Sequence, residues 1–233
     1  MDTDPSSTET VELALKGLSM PLVEAMESQR AIRRLLPDPV PDELILRMIE
    51  LAEKAPNGGN EQWFAFLVVK DPAVRAGLAK LNRWGFPGLK LYYRKRIRDD
   101  AKWARTWAAI EWQKDHFEEI PVLIVVCATK KIPHWPHLMS AGVYASVFPA
   151  TQNLLLAARG LGLGAAFISL PLWWMSGARK ALGLPRSVTP VAVIPVGWPR
   201  GRYGPTTRKP VGEMMHLDRW GNQPWRKSPA EAG

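Results

Sequence analysis

The chain has 233 residues, 46% of them apolar and 23% charged, which are the proportions of a folded globular protein and exclude a chain disordered throughout. The single cysteine, Cys127, excludes an internal disulfide framework and fits a reducing compartment. Thirty-one basic against 22 acidic residues give a net charge of +9. This excess favours an anionic partner, whether a phosphate group, an acidic substrate, a nucleic acid or a membrane surface.

The N-terminal residues lack the basic and apolar regions that are typical of a secretion signal. Residues 1–11 are acidic and rich in Ser and Thr, which predicts a flexible tail. Two uncharged stretches, 138–158 and 160–178, reach membrane length, but Pro149 and polar residues interrupt the first, and glycines and Pro171 interrupt the second. We therefore expect a buried helix in the first stretch, no membrane span, and a cytoplasmic location.

Helices and strands follow one another along the first part of the chain. Residues 13–26 have helical spacing, and a second helix begins after Pro41 and ends in the loop Pro-Asn-Gly-Gly-Asn at 56–60. Residues 63–69 are aromatic and β-branched, which predicts a strand. Asp71-Pro72 begins a short helix that is expected to end near Leu81.

The second part of the chain begins with an unusual segment. Residues 83–119 contain a basic run with tyrosines at 90–98, followed by a predicted helix over 99–117. Helices are also predicted at 141–161 and 176–182, and strands at 122–128, 165–169 and 191–196. Residues 198–233 show no period, which predicts an arm that lies on another surface.

The loose alternation of elements, without a repeated βαβ unit, predicts the fold class. We expect an α+β fold whose mixed sheet is packed between helices, rather than a parallel doubly wound sheet. The tail at 1–11 is expected to precede a single domain over 12–233. Within that domain, 83–119 is expected to be a variable lid segment and 198–233 the C-terminal arm.

The arginines at 30–34 are the first candidate for chemistry. A guanidinium group donates two hydrogen bonds in a fixed geometry that suits phosphate, and the small residues of the loop at 56–60 let backbone amides approach a ligand. These features predict an anion site beside a site for a flat ligand. The alternative is a set of solvated arginines and a simple helix end.

Four blocks of the sequence resemble the nitroreductase family of FMN flavoproteins. The blocks are Ser-Gln-Arg-Ala-Ile-Arg-Arg-Leu at 28–35, Ala-Pro-Asn-Gly-Gly-Asn-Glu-Gln-Trp at 55–63, the helix end and glycines at 152–164, and Val193 to Pro199 with Arg208-Lys209-Pro210. They occur in the order of the family. The resemblance covers residues 28–210.

The resemblance implies a fold, an assembly and an activity. It implies a mostly antiparallel sheet between helices, an intertwined homodimer, and FMN bound at the dimer interface. It also implies that hydride passes from NADH or NADPH through the flavin to a small planar electron-poor acceptor such as a nitroaromatic or a quinone. No nucleic acid, membrane or metal is implied.

The resemblance assigns site residues as well. The FMN phosphate is expected at Arg30, Arg33 and Arg208, and Ala31 stands where the family has serine. The flavin or ribityl chain is expected to be lined by Pro56, Asn57, Gly58 and Asn60. Backbone along the ring edge would come from Phe167, Ile168, Ser169 and Leu170, with the Ser169 amide donating to the flavin N5 position as the catalytic contact. The expected acceptor-binding residues are Trp103 and Trp107, one turn apart so that both rings can face the same way.

Two other functions remain open from the sequence. Gln29 and Ala31 replace the arginine and serine that are usual in the family, so a flavin-binding or flavin-storing protein with little turnover is one alternative. The other alternative is a nucleic-acid-binding module, which the basic run at 90–98 with its interleaved tyrosines suggests. His134 and His137 have no further ligands at a recognisable spacing and predict no metal site.

Overall fold

A four-stranded antiparallel sheet lies at the centre of the fold. Its strands are β1 (Phe64–Val69), β2 (Val122–Ala128), β3 (Gly164–Ala165) and β4 (Thr189–Gly197), in the order β1-β2-β4-β3. Every neighbouring pair is antiparallel. The computed structural model describes residues 4, 7–130, 132 and 137–226, with the backbone alone at 137–139.

Helices account for most of the remaining described residues. They are α1 (Thr8–Lys16), α2 (Leu22–Ser28), α3 (Asp42–Ala52), α4 (Pro72–Asp99), α5 (Ala101–Asp115), α6 (His137–Gly160) and α7 (Met175–Leu182). No described helix combines the length and the apolar character needed to cross a membrane.

The sheet is packed between two layers of helices, as the sequence predicts. All seven residues of β2 are buried, and because side chains alternate along a strand they divide between the two faces. Val122, Ile124 and Val126 belong to the core cluster that contains residues of α3 and α6. Leu123, Val125 and Cys127 belong to the cluster that contains residues of α4 and α7. The α+β prediction is therefore confirmed.

Residues 13–26, predicted as one helix, are divided between α1 and α2, and three further predicted boundaries are wrong. Helix α1 begins at Thr8, inside the predicted tail, because the Ser7 hydroxyl caps it by accepting a hydrogen bond of 3.2 Å from the Thr10 amide. The predicted strand at 165–169 is only the two-residue β3, followed by an isolated bridge between Ile168 and Val193.

The third error concerns α4, which does not end near Leu81 but continues through Pro87 to Asp99. Tertiary packing explains the continuation. Gly85 is buried against Leu170 so closely that a Cβ atom there would come within 2.6 Å of a Leu170 methyl carbon. A helix held by such packing tolerates the hydrogen bond lost at proline.

Helices α4 and α5 form a hairpin with a single residue, Asp100, between them. Its carboxylate accepts hydrogen bonds from the amides of Lys102 and Trp103, at 2.8 and 3.2 Å, and so caps α5. The segment predicted as a variable lid, 83–119, therefore consists mainly of the second half of α4 and the whole of α5, which pack against each other.

The chain divides into two compact units, residues 1–203 and 204–233, where the sequence predicts one domain over 12–233. The described part of the second unit is held by internal contacts. The Gln223 side chain donates to the Glu213 carbonyl oxygen at 2.8 Å, and the His216 and Trp220 rings stack with centroids 4.0 Å apart. The predicted arm thus has some structure of its own.

Candidate functional site

Two segments that are far apart in the sequence carry the arginines of the candidate site. The Arg200 amide donates a hydrogen bond of 3.0 Å to the Arg34 carbonyl oxygen, so residues 30–36 and 198–202 run side by side. An isolated bridge joins Leu35 to Pro199 in the same pairing. This local pairing brings together arginines that the sequence separates.

Gly164 lets the segment 30–36 lie close against the sheet. The Ile32 amide donates to the Ala165 carbonyl oxygen at 2.9 Å, which ties the segment to the end of β3. A Cβ atom at Gly164 would come within 2.6 Å of a Leu35 methyl carbon. A residue other than glycine at 164 would therefore push the arginine segment away from the sheet.

Five arginines converge on a cleft of about 600 Å³, which we call the arginine cleft. They are Arg30, Arg33, Arg34, Arg200 and Arg202. Among the described residues, the arginines that form ion pairs are Arg47, Arg83, Arg98 and Arg159. None of the five in the cleft does.

Arg33 is the most enclosed arginine of the cleft. Burial, together with the positive charge of Arg30, lowers the pKa of Arg33 from its ordinary value. Both causes disfavour the charged form, and an anion placed between the two side chains would relieve both. The arginine cleft is therefore suited to a phosphate or another compact anion.

A second cavity, of about 250 Å³, is also lined by Arg33. We call it the aromatic cavity because four of its lining residues are Phe86, Tyr93, Trp103 and Trp173. The α4–α5 hairpin supplies most of the wall. Ile168, Ser169 and Leu170 supply another part, so predicted cofactor residues and a predicted acceptor residue line one cavity.

Two buried amide side chains give the aromatic cavity its polar character. Asn82 and Gln113 line it and are 6% and 4% exposed. The Gln113 Nε2 atom is buried without a hydrogen-bond partner among the described residues. A buried unpaired donor is costly, which makes this side chain a candidate ligand contact.

Ser169 lies at the junction of the aromatic cavity with a further cleft of about 430 Å³, lined by Tyr144, Phe148 and Phe167 among others. Within the described part of the chain, no group accepts a hydrogen bond from the Ser169 amide, whereas the amide of Ile168 bonds to the Val193 carbonyl oxygen at 3.0 Å. The Ser169 N–H is thus available to a ligand.

The loop at 56–60 is exposed and conformationally strained. Gly59, Asn60 and Gln62 all have left-handed backbone, with φ of 61°, 56° and 51°. The Asn57 side chain steadies the loop by accepting a hydrogen bond of 2.9 Å from the Gln62 amide. Strain of this kind in non-glycine residues is typical of functional segments.

Pro56, Asn57, Gly58 and Asn60 are not among the residues that line the arginine cleft or the aromatic cavity. The loop instead packs towards α6, where the Gly58 amide donates to the Ser146 hydroxyl at 3.4 Å. The structure of one chain therefore does not join the two halves of the predicted flavin site.

The expectation that Trp103 and Trp107 face the same way is wrong. Trp103 lines the aromatic cavity and stacks on Tyr93 with ring centroids 4.8 Å apart. Trp107 is only 3% exposed and packs on Phe86, with ring centroids 5.0 Å apart. The small core of the α4–α5 hairpin needs a large apolar side chain, and Trp107 fills that position.

The remaining predicted residues have simpler outcomes. Arg208 belongs to the second unit, where its guanidinium donates to the Thr207 carbonyl oxygen at 3.0 Å. His134 and the side chain of His137 lie outside the described residues, and within the described ones no group of His, Cys, Asp or Glu could hold a metal ion. In the basic run at 90–98, Lys90 pairs with Glu111.

Sequence reasoning missed several lining residues. Arg200 and Arg202 stand in a Pro-Gly-Arg-rich segment without a period, so only the pairing with residues 30–36 reveals them. Asn82 and Gln113 are polar residues inside helices, and a polar residue on the buried face of a helix is a signal that could have found them.

The arrangement can bind an elongated ligand with an anionic end and a flat end. Arg33 lines both the arginine cleft and the aromatic cavity, so a single molecule can reach both. A planar ring would find aromatic walls, two buried amides and the Ser169 N–H in the cavity.

Known proteins resemble this chain over most of its length. The model of the nitroreductase family matches residues 26–198. A Methanothermobacter thermautotrophicus protein with the provisional name NADH dehydrogenase/NAD(P)H nitroreductase is 28% identical over 218 residues, 91% of this chain and 94% of that protein. Iodotyrosine deiodinase 1 of Rattus norvegicus is 28% identical over 224 residues, 90% of this chain and 74% of that protein.

Solved structures share the fold. Iodotyrosine deiodinase bound to FMN and 3-iodo-L-tyrosine has a TM-score of 0.64 at 23% identity, covering 87% of this chain and 100% of that chain. A nitroreductase-like protein from Bacillus cereus has a TM-score of 0.63 at 19% identity, covering 85% and 96%. With a family match over most of its length and this common fold, the chain belongs to the nitroreductase family.

Proposed function

We propose that the protein is an FMN-dependent oxidoreductase that takes hydride from NADH or NADPH and delivers it to a small planar electron-poor acceptor. The observation that carries the proposal is the position of Arg33 between the arginine cleft and the aromatic cavity. FMN has a phosphate at one end and a flat ring at the other, which matches this pair of sites.

The residues present fit FMN on chemical grounds. Arg30 and Arg33 form no ion pair with a described residue, and burial together with the positive charge of Arg30 lowers the pKa of Arg33. In the cavity, the unpaired Gln113 amide and the Ser169 N–H are donors for the nitrogen and oxygen atoms of a flavin ring. FMN, when bound, supplies the hydride chemistry, and the protein supplies binding and orientation.

Each group of residues then has a defined task. Arg30 and Arg33 hold the phosphate with charge-assisted hydrogen bonds. The Ser169 amide donates to the edge of the ring at the reacting nitrogen, as the family resemblance implies. Phe86, Tyr93 and Trp103 form a wall that excludes water from the ring and from a flat acceptor beside it.

The exposed loop at 56–60 supports a homodimer as the functional unit. In the nitroreductase-like arrangement both subunits contribute to one flavin, and in this chain the loop does not line the cleft or cavity formed by its own subunit. We propose that Pro56, Asn57, Gly58 and Asn60 complete the flavin site of the second copy.

The proposed class of acceptor is taken from the family resemblance. The names of similar proteins add a further type of acceptor to this class. Proteins of similar identity are named for nitroreductase and for iodotyrosine deiodinase activity. Nitroaromatics and quinones are the proposed acceptors, and a halogenated phenol such as 3-iodo-L-tyrosine belongs in the same assay.

The experiment is anaerobic reduction followed by reoxidation. Protein reconstituted with FMN is mixed with NADH or NADPH, and the visible absorbance of the flavin is followed. Loss of this absorbance, and its return on adding a nitroaromatic or a quinone, supports the oxidoreductase. Bound flavin that neither nicotinamide reduces would instead support a flavin-binding protein with little turnover, the alternative that Gln29 and Ala31 suggest.

A further inference from the structure

The arginine cleft contains more positive charge than FMN requires. An FMN phosphate carries about two negative charges near neutral pH, which Arg30 and Arg33 can balance. Arg34, Arg200 and Arg202 line the same cleft and have no assigned ligand. A surplus of three guanidinium groups in one cleft calls for a second anion.

Arg200, one of the three additional arginines, is held in place by the fold rather than by a carboxylate. The Arg200 Nε atom donates to the Leu35 carbonyl oxygen at 3.1 Å, and its guanidinium carbon lies 5.5 Å from the centre of the Trp112 ring. Trp112 is in turn stacked on His116 at 4.0 Å. Arg200 is therefore oriented from two sides, and its terminal nitrogen atoms remain available to a ligand.

Like charges held together raise the free energy of the unliganded protein. An exposed arginine outside the cleft can be neutralised by a neighbour, as Arg47 is by Glu50 at 2.8 Å. Arg34 and Arg202 have no such partner among the described residues. A cluster that keeps its charges exposed and unpaired attracts polyanions to this opening.

We propose that Arg34, Arg200 and Arg202 bind the adenosine 2′-phosphate of NADPH and so make the protein select NADPH over NADH. This inference rests on the proposed function. NADPH differs from NADH by a 2′-phosphate on its adenosine, and that phosphate needs additional positive charge of this kind. Arg33 lines both this cleft and the aromatic cavity, so a dinucleotide anchored in the cleft can reach the cavity with its other end.

The test uses the FMN-loaded protein and two soluble probes, adenosine 2′,5′-bisphosphate and 5′-AMP. The variant is the double substitution Arg34→Gln and Arg202→Gln, since both side chains are exposed and Arg200 also supports the Leu35 backbone. The matched control is Arg186→Gln together with Arg219→Gln, two exposed arginines outside the cleft that remove the same net charge.

Calorimetric titration should show that the wild type binds the bisphosphate more tightly than 5′-AMP. The double variant should lose about tenfold or more of the bisphosphate affinity, the scale of one charge-assisted hydrogen bond, while the control retains it. The KM for NADPH should rise by a similar factor, the KM for NADH should change less than about twofold, and FMN affinity should be unchanged.

Three outcomes would overturn the inference. The first is a wild type that does not distinguish the two probes. The second is a double variant whose KM rises equally for NADH and NADPH, or whose affinity for the bisphosphate equals that of the control. The third is a double variant that loses FMN, which would place the FMN phosphate on Arg34 and Arg202. If neither nicotinamide reduces the flavin, the proposed function fails, but the two probes still decide whether the cleft binds a 2′-phosphate.

Discussion

The amide of Arg200 donates a hydrogen bond of 3.0 Å to the carbonyl oxygen of Arg34. This pairing connects the segment after α2 with the segment after β4. Arginines from near the beginning and near the end of the first unit therefore line one cleft. The geometry of the proposed phosphate site therefore depends on backbone pairing and not on side-chain ion pairs.

Arg33→Gln should weaken FMN binding by about tenfold or more, because a hydrogen bond to a charged group contributes roughly 1.5–3 kcal/mol. Fluorescence titration of the unliganded protein with FMN measures the effect. Arg186→Gln is the control, since it removes one positive charge from outside the cleft. Equal affinity in wild type and Arg33→Gln would remove Arg33 from the phosphate site.

Gln113→Leu should stabilise the protein without flavin and weaken its flavin binding. The Gln113 Nε2 atom is buried and unpaired, a state that costs about 1–3 kcal/mol, and leucine removes it at similar volume. Urea denaturation with and without FMN measures both effects. A variant that is destabilised without flavin and binds FMN as the wild type does would show that the amide has a structural role.

Trp103→Ala and Trp107→Ala should have different effects, because the two rings have different environments. Trp107 is buried in the hairpin core, so its truncation should cost about 3–5 kcal/mol of stability. Trp103 lines the cavity, and its stacking on Tyr93 contributes about 0.5–1.5 kcal/mol. Trp103→Ala should mainly change the KM for acceptors, and equal melting temperatures for the two variants would contradict the placement.

The Cys127 thiol should remain protonated and unreactive at neutral pH. Burial raises its pKa from 9.0 to about 11, and its side chain is only 2% exposed. The thiol has a higher pKa in the folded than in the unfolded state. Its contribution to the free energy of unfolding is therefore complete below about pH 9 and is lost as the pH rises towards about 11. In urea denaturation, Cys127→Ala should lack this part of the pH dependence of stability. Rapid labelling of the thiol in the folded wild type at pH 8 would contradict the prediction that the thiol is buried and protonated.

Much of the first unit is predictable from residue pattern. The continuous apolar run of β2 is buried on both faces, and the apolar helix α6 lies in the core beside it. Composition and periodicity indicate directly which residues are buried. The positions of core elements such as β2 and α6 are therefore predicted well. The family blocks predict Arg30, Arg33 and Ser169 as site residues, and all three line the cleft or the cavity described above.

The parts that pattern does not predict depend on contacts between distant segments. Pro87 and its flanking glycines indicate a helix end, yet packing of Gly85 on Leu170 carries α4 through them. Trp103 and Trp107 have the same spacing as any i, i+4 pair, and only the fold decides that one ring faces the cavity and the other the hairpin core. Arg200 and Arg202 become site residues only through their pairing with residues 30–36.

The central claim is that one ligand spans the arginine cleft and the aromatic cavity, and that this ligand is FMN. Equilibrium titration of the unliganded protein with FMN and with riboflavin, which lacks the phosphate, tests it most directly. We expect saturable FMN binding that is at least about tenfold tighter than riboflavin binding, with the difference abolished by Arg30→Gln together with Arg33→Gln. Failure to bind FMN, or equal affinity for the two flavins in the wild type, would contradict the account.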